Sequence, residues 1–177
     1  MSIFDIFRSN HKKSTLQMIQ FADKWSDIYL QKYAIEKNAD VKNAALIFCS
    51  WAVWDYCMNN DMLPSGNKND IANNYIATVC AYVGNTHEID ALDFLELFKN
   101  RFGIYKSDIR GLLNSHYPQT RQYIPISLYV AFYKKTYTPF SDPGLSFIDE
   151  DEQIMDFVGK FITFWNSLNR AMMDNEI

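Results

Sequence analysis

Glycine and proline are scarce in this chain, six and five in 177 residues, so little interrupts its helices. Three cysteines, Cys49, Cys57 and Cys80, form no CxxC pair and sit inside apolar stretches. They read as small buried hydrophobes of a reducing compartment, not as a disulfide framework or zinc site. Three histidines, His11, His87 and His116, are too few for a histidine-rich metal centre. Positive charge is not in excess: the net charge is −4, which argues against nucleic acid, whose binders neutralise phosphates with clustered Lys and Arg. There is no GxSxG elbow, no GxxxxGK phosphate loop and no dinucleotide glycine fingerprint, so no enzyme class is indicated. No cofactor or metal is expected.

Nor is there an apolar run of the roughly 20 residues that a membrane span needs. The nearest approach is Ala44 to Met58, AALIFCSWAVWDYCM, about 15 residues flanked by polar sequence. Apolar on nearly every side, such a helix has no water face and must be wrapped by others. The opening MSIFDIF is too short for a signal-peptide core, and Ser2 excludes myristoylation, so a cytoplasmic protein is expected. Residues 1–13 form a short apolar-then-basic segment, expected to dock on the body or a partner.

Periodicity predicts an all-α, single-domain globular bundle of six or seven helices around a buried central helix at about 40–61. Met18, Phe21, Ala22, Trp25, Ile28, Tyr29 and Tyr33 repeat at helical spacing, with Ser14 as N-cap. Asn38 or Asp40 starts the central helix, and Pro64-Ser65-Gly66 follows it. A third helix runs from about Asn69 to Val83, stopped by Gly84 and Asn85. Thr86 is expected to cap a fourth, with Glu88 and Asp90 in its first turn and the stripe Ile89, Leu92, Leu95, Phe98 and Phe102. A short helix follows Ser107. Residues 123–136 fit either a helix opened by Pro125 or a strand, since Ile124, Ile126, Leu128 and Val130 alternate. A long last helix, about Asp149 to Met173, is expected to pack along the central one.

Two polar residues interrupt the apolar stretch. Wound at about 100° per residue, Asp55 lines up with Ala44, Phe48 and Asn59, whereas Ser50 lies roughly 140° away in line with Asn43, Cys57 and Asp61. The expectation is that Ser50 marks a thin solvent edge and Asp55 is buried. A buried carboxylate needs a cation, several donors or a raised pKa. With Trp51 it is the candidate for an internal small-molecule or enzymatic pocket, although a structural ion pair explains it as well.

Other features suit a partner-binding surface. Tyr129, Tyr133 and Tyr137 recur every four residues, beside Tyr117, Arg121 and Tyr123, and Tyr and Arg are enriched at interface hot spots. Asp149, Glu150, Asp151 and Glu152 form the densest acidic patch; they complement a helix dipole and would attract a basic protein. His87, Glu88, Asp90, Asp93 and Glu96 are explained by capping and a solvated face, without a metal. The leading expectation is a non-catalytic protein that binds a basic partner through an acidic, tyrosine-bearing surface. In general style it is similar to the small acidic immunity proteins that neutralise bacterial toxins, a likeness of character and not of motif.

Overall fold

The computed structural model describes residues 13–34, 37–86, 90, 92–96, 98–100, 102–103, 152–174 and 177, with backbone alone at 40 and 152–158. The described residues are mostly helical and include no strand. Four helices are described: α1 (Thr15–Lys32), α2 (Ala39–Asn59), α3 (Lys68–Thr86) and α4 (Glu152–Met173). A fifth helical stretch covers residues 92–96, 98–100 and 102–103. The expected helix after Ser107 and the ambiguous stretch 123–136 lie outside the described residues, as do residues 1–12.

Capping chemistry sets the starts. The Ser14 hydroxyl accepts the Gln17 N–H (3.2 Å) while Gln17 Oε1 accepts the Ser14 N–H (2.9 Å), a reciprocal capping box that satisfies two donors α1 would otherwise leave bare. Asn38 Oδ1 accepts the Val41 N–H (2.9 Å) and opens α2. That helix ends on a Schellman turn: the Met62 N–H reaches back to the Cys57 carbonyl (2.8 Å) around Asp61, which adopts φ 53°. Aspartate tolerates this left-handed geometry better than most side chains.

Two boundaries differ from the expectation. Gly84 does not stop α3, which continues to Thr86. Thr86 is not an N-cap; its hydroxyl bonds back to the Tyr82 carbonyl (2.7 Å), as threonine does inside helices. The cap of the next stretch is Asp90, whose Oδ1 accepts the N–H groups of Leu92 (2.8 Å) and Asp93 (3.2 Å). Aspartate outranks threonine at this position. Phe94 and Phe98 are buried, Leu95 and Phe102 half-buried, and Leu92, expected in the stripe, is 74% exposed. The last helix is described from Glu152 to Met173, and Asp149 lies outside the described residues.

Every residue from Ala44 to Trp54 is buried. One side of this run meets α1, which runs antiparallel to α2. The Lys13 N–H donates to the Met62 carbonyl (2.7 Å) at one end, and Lys42 pairs with Asp27 (2.7 Å) near the other. Tyr75 of α3 packs its ring on Trp54 (centroids 5.2 Å) and its hydroxyl donates to the Ser50 carbonyl (3.0 Å). The α4 side is aromatic: Phe48 lies 5.4 Å from Phe161 and 5.7 Å from Trp165, both edge-on, and Trp51 stacks on Trp165 at 6.5 Å. Phe164 joins the layers, touching Trp25, Tyr29 and Tyr33 of α1, Phe48 of α2 and Phe161 of its own helix. Such tilted and edge-to-face pairs add about 0.5–1.5 kcal/mol each beyond the area they bury.

Candidate functional site

The two polar marks of α2 exchange roles. Ser50 is buried, whereas Asp55 is half-buried and accepts a hydrogen bond from Asn59 Nδ2 (2.9 Å), one turn on, at the surface. A helical-wheel stripe is treated as uniform along its length, and here it is not. The line through Ala44, Phe48, Asp55 and Asn59 is sealed at Phe48 by the α4 rings and opens towards Asn59, which is exposed. The line through Asn43, Ser50, Cys57 and Asp61 is covered at its middle, where Tyr75 reaches the Ser50 backbone. Serine fits there because it is small; its own hydroxyl oxygen has no hydrogen-bond partner among the described residues. Trp51 and Trp54 are both core residues. The structure thus brings Trp51 to Trp165 and Asp55 to Asn59.

The nucleophilic side chains are packing groups. Cys49, Cys57 and Cys80 are free and buried. Burial pushes the Cys57 thiol up to about 12, against a small opposing pull from Lys13. Burial also raises Cys49, with a further push from Asp23, and raises Cys80 despite Lys99. The Tyr75 hydroxyl is raised above the ordinary phenol range, again first by burial. At neutral pH these groups hold their protons, and a protonated thiol is a poor nucleophile and a poor metal ligand. No group of three His, Cys, Asp or Glu suited to a metal occurs among the described residues.

Two surface features stand out. The first is the start of the fifth helical stretch. Asp90, Leu92, Asp93 and Glu96 are all exposed there, while Phe94 and Phe98 (centroids 6.1 Å) anchor the opposite side in the core. A bare leucine among three carboxylates is thereby held on a rigid base.

The second is a cleft of about 370 Å³ where α4 passes α1. Thr163, Ser167 and Arg170 line it from α4 and Asp174 from the turn just after it, with Asn166 beside them. Trp25 of α1 and Ala171 supply its apolar lining. The Trp25 indole is 8% exposed, and its Nε1–H has no acceptor among the described residues.

Several residues singled out in the sequence lie outside the described part: Tyr117, Arg121, Tyr123, Tyr129, Tyr133, Asp149, Glu150 and Asp151, with His87 and Glu88. Glu152 opens α4, where only the backbone is described. Of the N-terminal segment, Lys13 is described, and its ammonium donates to the Ile177 carbonyl (2.9 Å). Sequence reasoning missed the cleft and also Phe164. Phe161, Phe164, Leu168 and Ala171 follow a 3-4-3 spacing that marks the α4 inner face, and the polar set at 163, 167, 170 and 174 repeats one stripe beside it. Among the described residues, no helix is long and apolar enough to cross a membrane. The chain matches no protein-family model, no curated protein and no solved structure.

Proposed function

We propose that this chain is a non-catalytic helical protein of antagonist or regulatory type, which acts in the cytoplasm by binding a protein with a basic surface. In this reading it is one domain built around α2, with six or seven helices once residues 104–150 are included. The observation that carries the proposal is Leu92, 74% exposed and flanked by the exposed carboxylates of Asp90, Asp93 and Glu96. Charged rims steer encounter and exclude wrong partners, while an apolar anchor that becomes desolvated holds the complex. The net charge of −4 extends the same field over the molecule, and in this reading Asp149 to Glu152 and the tyrosines at 117, 123, 129 and 133 supply further partner contacts. The buried thiols and Tyr75 support a binding role over a catalytic one, since their raised pKa values withdraw them from nucleophilic chemistry.

The test is affinity capture of the full chain from its native host, comparing wild type with Leu92→Lys and with Leu16→Lys, a change at a half-exposed apolar residue of α1. The expected result is one stoichiometric basic polypeptide retained by wild type and Leu16→Lys. Leu92→Lys should weaken retention about tenfold or more, and high salt should weaken it further. A chain recovered alone, or a partner indifferent to Leu92→Lys, would refute the proposal.

A further inference from the structure

We infer that the cleft between α1 and α4 binds a small zwitterion, with carboxylate and ammonium a few bonds apart as in a free α-amino acid. This site is separate from the acidic face around Leu92. Its volume, about 370 Å³, falls at the lower end of small-molecule sites.

The charges decide the ligand class. Arg170 and Asp174 both line the cleft, one turn apart, the Asp174 N–H closing that turn on the Arg170 carbonyl (2.8 Å) just past the end of α4. Among the described residues neither enters an ion pair. Arginine placed four residues before aspartate is the less favourable order for pairing along a helix, so a ligand can engage both without breaking a strong bridge.

The neutral groups sort the same way. Ser167 Oγ donates to the Thr163 carbonyl (2.9 Å) and Thr163 Oγ1 donates to the Gly159 carbonyl (2.8 Å). Both hydroxyl protons are committed to the backbone, which leaves two oxygens that only accept. Together with the Asp174 carboxylate they suit an ammonium. The donors are the Arg170 guanidinium and the Asn166 amide, and they suit a carboxylate. The Trp25 ring and Ala171 provide apolar cover for the ligand's hydrocarbon part. A simple anion would meet Asp174 and a simple cation would meet Arg170; a molecule carrying both charges answers both.

The experiment follows the Trp25 indole N–H resonance of the full chain, assigned with Trp25→Phe, during titration with leucine, 4-methylpentanoate and 3-methylbutylamine. Leucine should shift the signal saturably below about 10 mM, and each singly charged analogue should bind about tenfold more weakly or worse. Arg170→Met and Asp174→Asn, both at exposed positions, should each weaken leucine binding to a similar degree while leaving the rest of the spectrum in place. No shift with leucine, equal binding of all three probes, or unchanged binding in either variant would overturn the inference. None of these outcomes bears on partner capture through Leu92.

Discussion

Phe164→Ala is expected to cost about 3–5 kcal/mol, seen as a large fall in the urea midpoint with little change in slope. The residue is 1% exposed and its ring contacts aromatic side chains of α1, α2 and α4 at 4.9 to 6.4 Å. Removing it deletes the transfer free energy of a phenyl group and leaves a void among rings too rigid to collapse into it. Measured against a typical domain stability of about 5–15 kcal/mol, this one change would consume a large share of the total. A loss below about 1 kcal/mol would mean that α4 does not pack against α1 and α2 through this ring.

The second large effect separates the two polar positions of α2. Ser50→Asp places a carboxylate at a fully buried site and is expected to cost about 3–5 kcal/mol at neutral pH, comparable to leaving a buried charge uncompensated. Asp55→Ala, at a half-buried position bonded to Asn59, should cost about 1 kcal/mol or less. The pH dependence follows from the sign of the shift. Burial raises the folded-state pKa of the introduced carboxyl above its unfolded value of about 3.9. Below that value both states are protonated and the charge penalty vanishes; as pH rises above it, the unfolded state ionises first and stability falls. The gap between Ser50→Asp and wild type should therefore shrink as pH drops towards 4, leaving the steric part. Denaturant melts across that range measure it directly. A pH-independent gap, or a larger loss for Asp55→Ala, would return Ser50 to the surface.

How far the sequence could be read follows from the scale of each signal. The caps at Ser14 and Asn38 and the bodies of α1, α2, α3 and α4 were legible because capping and a 3.6-residue period act over a few neighbouring residues. Thr86 and Asp90 show the limit of that locality. Both are acceptable cap residues, and which of them caps the next stretch is decided by how far α3 continues. Ser50 and Asp55 show the second limit. Their burial depends on how far α3 and α4 extend along α2, which no pattern within α2 encodes. The cleft was invisible for the same reason, since Trp25 and Arg170 are separated by most of the chain and read singly as a core indole and a solvated cation. The exposure of Leu92 emerged only from the packing of the helix that carries it.

The cleft lies between α1 and α4, which both pack against α2, so the account depends above all on α2 being the least openable part of the molecule. Residue-resolved amide hydrogen exchange tests this most directly. The amides of residues 45–54 are predicted to exchange only through global unfolding, with opening free energies equal to the stability found by denaturant, while those of residues 92–96 exchange through smaller openings. Exchange of the 45–54 amides through a local opening, as fast as at residues 92–96, would contradict it.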